Sequence, residues 1–191
     1  MTLPKPIPAR IIVAIAISVV VLQSSVLWTM GQPPISASGT IRLWIGDISS
    51  AENSQQLIDW YTFTHVLHGF AFYGLLWLVA PGMSFGLRLA LAIGIEAGWE
   101  IVENSPFIIE RYRQSAIARG YFGDSVINSV FDTLAATTGF VLARVLPVWA
   151  IVAIALAVEL SLALAIRDGL TLNLIQLIAP SDAISRWQMG R

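Results

Sequence analysis

Apolar residues along this chain gather into five long runs, at about 11–30, 59–79, 85–104, 124–146 and 149–166. Each approaches the ~20 residues that a helix needs to cross the hydrocarbon core of a bilayer. In lipid the backbone must satisfy its own hydrogen bonds, so the runs predict helices. The first follows a short flank, MTLPKPIPAR, with two positive charges. It exceeds the roughly 7–15 apolar residues of a signal peptide and reads as an uncleaved anchor, despite an SAS tripeptide near residue 37. Pro81-Gly82 closes the second run, Pro106 follows the third and Pro147 stops the fourth. The expected fold is all-α: one membrane domain, 1–191, a polytopic bundle of about five transmembrane helices.

Two stretches lie outside the runs. Residues 31–58 form a polar extramembrane segment broken by Pro33, Pro34 and Gly39. Within it RLWIGD reads as a short strand or an interfacial aromatic anchor, and ENSQQLIDWY as a helical approach lying on the membrane surface. The tail, 167–191, reads as interfacial, with LTLNLIQLIAP too short to span and Trp187 as an anchor. Gly94 and Gly98 make a small-xxx-small pair that predicts close helix packing, and Gly69, Gly74 and Gly139 read the same way. Trp28, Trp60, Trp77 and Trp149 near span ends suit an aromatic belt.

The polar positions inside the runs are ordered. His65 and His68 stand at i, i+3; Glu96, Glu100 and Glu103 at i, i+4, i+7; Asp124, Asn128 and Asp132 at i, i+4, i+8. Each set falls on one helical face. Alternating spans joined by short turns bring these faces to the same side of the membrane. At about 1.5 Å per residue, His65 and His68 lie roughly 9 and 13 Å below that surface, Glu100 and Asn128 about 6 Å, Glu96 and Asp132 about 12 Å and Glu159 about 10 Å. Glu103 and Asp124 sit at the rim. The other half of the bundle is almost purely apolar. Ionisable groups inside a bilayer are costly and usually face a bundle interior.

Imidazoles and carboxylates in one layer suit a divalent metal, either zinc or, with mostly carboxylates, manganese or magnesium. The candidate metal ligands are His65, His68, Glu103 and Asp124. Glu100 and Asp132 are the candidate catalytic acid and base, with Asn128 orienting a water or ligand. The spacing H-x-x-H is not H-E-x-x-H, which excludes a zincin. Two other readings of the same residues remain open: a polar network that only fixes packing, and a proton or ion pathway. Glu159 alone reads as a packing partner. Arg111 and Arg113, with Tyr112 between them and Arg119 beyond, lie in a loop over the layer. They could grip an anionic lipid headgroup in bidentate fashion, or simply pair with Glu110 or Asp124.

Composition narrows the picture. Of 191 residues 56% are hydrophobic and 12% charged, against about a quarter charged in soluble domains. A net charge of −1 and the lack of a basic run argue against a nucleic-acid partner. With no cysteine, disulfide and thiolate chemistry are excluded.

The strings ENSQQLIDWYTFTHVLHGFAFY, EAGWEIVENSPFIIERYR, YFGDSVINSVFDTLAATTGF and LTLN resemble a family of bacterial inner-membrane proteins catalogued as domain of unknown function (DUF) 2585, or uncharacterised protein family (UPF) 0314. The resemblance runs from Trp44 to Trp187 and implies a membrane location and little about chemistry. Cysteines often precede the Gly39 region in that pattern; their absence here argues against a redox role. A looser likeness, to VanZ-like membrane proteins linked to envelope and antibiotic-resistance phenotypes, touches His68, Glu100, Glu103, Asp124, Asp132 and Gly139. It is an analogy of fold only.

Lys5 and Arg10 favour a cytoplasmic N-terminus by the positive-inside rule, and Arg88 and Arg144 fall on that side. Arg42, Arg111, Arg113, Arg119, Arg167, Arg186 and Arg191 lie on the other and favour the reverse. The first-helix flank is given more weight, which puts the polar layer on the periplasmic side. The leading expectation is a metal-dependent, hydrolase-like membrane enzyme acting on a lipid-linked or envelope substrate. The rivals are an ion- or proton-coupled carrier and a structural or assembly protein of the envelope. Membrane lipids are the expected partners; oligomeric state is left open.

Overall fold

The computed structural model describes residues 7–114, 117–118 and 120–190. Lys5, Arg119 and Arg191, which entered the orientation argument, lie outside the described residues. Five long helices carry the architecture: α1 (Ala9–Thr29), α2 (Thr62–Val79), α3 (Phe85–Glu103), α5 (Val126–Val145) and α6 (Val148–Ile166), with the short α4 (Pro106–Arg113) between α3 and α5. Two more short helices follow, α7 (Leu170–Ile178) and α8 (Asp182–Gln188). Among the described residues there is no strand, only an isolated bridge from Trp44 to Ile58.

Helices α1, α2, α5 and α6 are long and apolar enough to cross a membrane. α3 matches them in length, 19 residues, but carries Arg88, Glu96, Glu100 and Glu103. Its acidic groups point inward: Glu96 and Glu100 are fully buried. α2 and α5 form the central pair, α3 lies against both, α1 packs on α3 and α5, and α6 sits at the edge. On α6 only Leu162 and Ile166 are buried, while Val148, Trp149, Val152, Leu156, Leu160 and Leu164 face outward. That all-round apolar surface is what a lipid-facing helix presents.

The α2–α5 crossing is backbone on backbone. A Cβ on Gly69 would stand 2.1 Å from the Ala136 carbonyl oxygen, and one on Gly139 2.1 Å from that of Val66. The small-residue reading holds for these two. It fails for Gly74, Gly94 and Gly98, where a Cβ would meet nothing within 4 Å. On α3 the buried stripe is Ala92, Ile93, Glu96, Ala97 and Glu100, which turns Gly94 and Gly98 outward. Below the polar layer Phe140 seals the bundle, with the Tyr73 ring edge-on at 5.2 Å and Phe85 at 5.7 Å.

Three local expectations change. ENSQQLIDWY is not a surface helix but a run of turns. Its glutamines are spent on tertiary bonds: Gln55 donates to the Gly123 carbonyl (2.8 Å) and Gln56 accepts from the Arg42 N–H (2.6 Å). RLWIGD forms no strand; its aromatic-anchor reading fits better, Trp44 meeting Trp60 edge-on at 5.1 Å and Phe63 at 6.1 Å. The loop holding Arg111 and Arg113 contains α4, opened by Ser105, whose hydroxyl accepts from the Ile108 N–H, and by Pro106 in the first turn. Proline there costs no hydrogen bond, so what read as a break is a helix start.

Candidate functional site

The long helices deliver their polar stripes to one place. His65, one turn into α2, sits among three carboxylates: its Nδ1 is 2.5 Å from Glu96 Oε1 and 3.3 Å from Glu100 Oε1, and its Nε2 is 3.9 Å from Asp132 Oδ2. One turn deeper, His68 Nδ1 lies 3.1 Å from Glu96 Oε2. Glu96 therefore bridges both imidazoles. The Ser129 hydroxyl donates to Glu100 Oε2 (2.6 Å), while Glu100 Oε1 and Asp132 Oδ1 are buried without a hydrogen-bond partner. Four carboxylates, Glu96, Glu100, Glu103 and Asp132, thus meet two imidazoles in a low-dielectric layer. Even with both rings protonated the layer keeps a surplus of negative charge that only protons or a cation can balance.

Among the described residues, two overlapping groups have metal-compatible spacing: His65 with His68 and Glu96, and His65 with Glu100 and Glu103. Within each, the ligand atoms lie within 4.8 Å of one another.

A cavity of about 370 Å³ opens above the layer. His65, Asp132 and Glu103 reach it from the long helices, Arg111 and Tyr112 from α4, and Tyr121 and Asp124 from the stretch before α5. Asn173, Gln176 and Leu177 of α7 and Gln188 of α8 close one side, and residues 48–51 another. Each hydroxyl of its tyrosines donates to a carboxylate: Tyr112 to Glu103 (3.0 Å), Tyr121 to Asp124 (3.0 Å) and Tyr61 to Asp168 (3.1 Å). Burial pushes Asp124 and Asp168 up to about 6, against hydrogen bonds that favour their ionised forms. Burial, then the neighbouring Glu103, holds the Tyr112 phenol protonated well above its usual range.

The expected site residues divide. His65, His68, Glu100, Glu103 and Asp132 come together as the spacing suggested. Asp124 stands apart from both metal-compatible groups: Asn104 Nδ2 donates to its Oδ2 (2.7 Å), and its own N–H donates to Asn104 Oδ1 (2.7 Å). Asn128 turns to the extramembrane segment, its amide donating to the Gln56 carbonyl (2.9 Å). Arg111 lines the cavity and donates through Nε to the Leu177 carbonyl (3.0 Å). Arg113 does not line it; it donates to the Tyr121 carbonyl (2.6 Å) and sits 3.9 Å from Glu110. Glu159 caps α7, accepting from the Leu170 and Thr171 N–H groups, in line with a packing role.

Sequence spacing had placed Glu96 in the acidic stripe but not among the ligands. Asp168, Tyr61 and Gln23 were missed altogether. Gln23, fully buried on α1, donates to the Ser129 hydroxyl (2.7 Å) and accepts from Thr133 (2.9 Å). A lone amide in an otherwise apolar span was the available signal. For Asp168 no periodic pattern exists, since it follows α6 in a turn.

A family model described as "Protein of unknown function (DUF2585)" matches residues 27–190. The chain is 53% identical over 170 residues to a "UPF0314 protein" of Paracoccus denitrificans, covering 89% of this chain and 88% of that one. Similar relatives occur in Sphingopyxis alaskensis (49%, covering 92% and 94%) and Brucella anthropi (50%, covering 92% and 89%). No solved structure matches the chain. The looser VanZ-like resemblance gains no support from these findings.

Proposed function

Since this chain belongs to the DUF2585 family, whose match runs from the end of α1 through α8, we propose that it is a multi-pass inner-membrane protein holding a divalent metal at the cavity floor for hydrolytic chemistry. Helical spans, unlike the closed barrels of outer membranes, fit the inner membrane. α3 supplies the fifth span, its charges turned into the bundle.

One observation carries the reading. His65, Glu100 and Glu103 have metal-compatible spacing, and two of them, His65 and Glu103, also line the cavity. Catalytic metal sites keep a coordination position open to substrate, whereas structural sites close it. Glu96 orients the His65 ring, as carboxylates commonly do for ligating imidazoles. Glu100 Oε1, buried without a hydrogen-bond partner and 3.3 Å from His65 Nδ1, would be the ligating oxygen. A divalent ion there would lower the pKa of a bound water to about 7. Asp132, which lines the cavity and carries one carboxylate oxygen without a hydrogen-bond partner, would accept the proton of the attacking water. The water oxygen would add to an ester carbonyl or phosphoryl centre, and as the C–O or P–O bond breaks the leaving alkoxide would take back from Asp132 the proton it had accepted. Arg111 is the residue placed for an anionic group of a lipid-linked substrate. Asn128 and Asp124 have no part in this chemistry. A carrier would need a polar path through the half that Phe140, Tyr73 and Phe85 seal.

Metal content by mass spectrometry on detergent-purified protein tests this, with wild type beside His65→Ala/His68→Ala and Glu103→Gln. Near-stoichiometric metal in the wild type and its loss in the variants support it. A wild type that stays metal-free after incubation with zinc, manganese and magnesium overturns it and leaves a buried ion network.

A further inference from the structure

The cavity wall has a chemical bias that the metal reading does not use. Among the described residues, four carboxylates line it, on Glu103, Asp124, Asp132 and Asp168, against one guanidinium, Arg111, and one imidazole, His65. Three phenol hydroxyls face the same space, yet each already donates to one of those carboxylates. Apart from Arg111 and the side-chain amides, the wall is therefore rich in acceptor oxygen and aromatic ring.

Three residues of the lining carry a buried oxygen without a hydrogen-bond partner. Asp132 Oδ1, on a residue only 4% exposed, has no hydrogen-bond partner. Two other residues of the lining, Asn53 and Gln188, also carry a buried side-chain oxygen without a partner. Leaving a buried acceptor unsatisfied is costly, so a ligand that donates gains what the wall lacks. An anion or an ether has no hydrogen to give those oxygens. Among donors, the excess of carboxylates and the faces of Tyr61, Tyr112 and Tyr121 favour a cation, since aromatic rings attract ammonium groups. A volume of about 370 Å³ suits a small headgroup rather than a polymer.

We propose that this cavity is a binding site for a primary alkylammonium group, received by Asp132, Asp168 and Asp124 between the tyrosine rings. Arg111, in the lining of the same cavity, matches a phosphate on the same molecule, which makes an ethanolamine-phosphate head the fitting ligand, free or on a lipid. A quaternary ammonium has no N–H to give the unmet oxygens and is excluded. A glycerol head lacks the charge. The site shares the cavity of the metal reading but does not depend on a metal.

The test uses the full chain in detergent, stripped of metal with a chelator. Calorimetric titration compares ethanolamine phosphate, choline phosphate and glycerol phosphate. The ethanolamine compound should bind at least about tenfold more tightly than either other. Native mass spectrometry with short-chain phosphatidylethanolamine, phosphatidylcholine and phosphatidylglycerol then separates the sources: a lipid ligand is retained selectively, a soluble amine is not. Asp168→Asn, with folding checked by its helical signal and melting, should weaken the amine ligands about tenfold. Equal binding of the choline or glycerol compounds by the wild type overturns the proposal, as does the absence of amine binding. A folded Asp168→Asn protein with undiminished affinity overturns it too. Because selectivity is read on metal-free wild type, failure here is distinct from failure of the metal measurement.

Discussion

Replacing Gly69 by alanine tests whether the α2–α5 crossing sets the geometry of the polar layer. The new Cβ would lie 2.1 Å from the Ala136 oxygen, 2.5 Å from the Phe140 nitrogen and 2.9 Å from the Gly139 carbonyl carbon, where ordinary contact begins at 3.4 Å. The shortfall, 3.4 less 2.1, is about 1.3 Å. All three obstacles are backbone and cannot rotate away, so the helices must part. Overpacking of this kind costs about 1–3 kcal/mol, and a rigid neighbour puts this case near about 3, roughly a hundredfold in the folding equilibrium. His65 precedes Gly69 by one turn on the same face, and Asp132 precedes Ala136 by one turn on α5. Parting the helices therefore also lengthens the 3.9 Å His65–Asp132 approach. The assay is thermal melting in detergent by circular dichroism, with Gly94→Ala as control, because nothing lies within 4 Å of a Cβ there. The expected midpoint for Gly69→Ala is lower by roughly 6–12 °C, with weaker metal retention, while Gly94→Ala matches or slightly exceeds the wild type. Equal melting of Gly69→Ala and wild type, or an equal fall for Gly94→Ala, would refute the reasoning.

Gln23→Ala removes the amide that ties α1 to Ser129 and Thr133 of α5; denaturation should show a loss of about 1–3 kcal/mol, since buried hydroxyls lose their partner. Asp168 has a folded pKa of about 6, raised first by burial, against a usual value near 3.8. Its contribution to stability is thus full below about pH 4 and lost as pH rises through 6. Asp168→Asn should flatten the melting profile of the wild type between those pH values, and an unchanged slope would contradict the assignment. Glu159→Gln weakens the cap on α7, so amide hydrogen exchange at residues 170–173 should quicken, with a cost of about 0.5–1 kcal/mol.

The long helices were legible because spanning lipid demands an apolar length that few other folds need, and the convergence of His65, Glu100 and Asp132 followed from depth alone. Rotation about each axis was less legible. Gly94-x-x-x-Gly98 has the spacing of a packing motif, but the acidic stripe of α3 claims the inward face and turns the glycines out. The extramembrane parts were least legible: Gln55 and Gln56 look like helix formers until their partners, Gly123 and Arg42, are known. Asn128 kept a ligand's spacing relative to Asp132 yet serves the Gln56 carbonyl. Arg113 likewise has the right neighbours in sequence but does not line the cavity, spending its Nε on the Tyr121 carbonyl.

The most direct test of the central claim is an anomalous-difference map from crystals grown with zinc or manganese. A single strong peak about 2.0–2.3 Å from His65 nitrogen and from Glu100 and Glu103 oxygens, open toward the cavity, is the predicted result. A peak elsewhere, or none beside an ordered His65–Glu96 pair, would contradict the account.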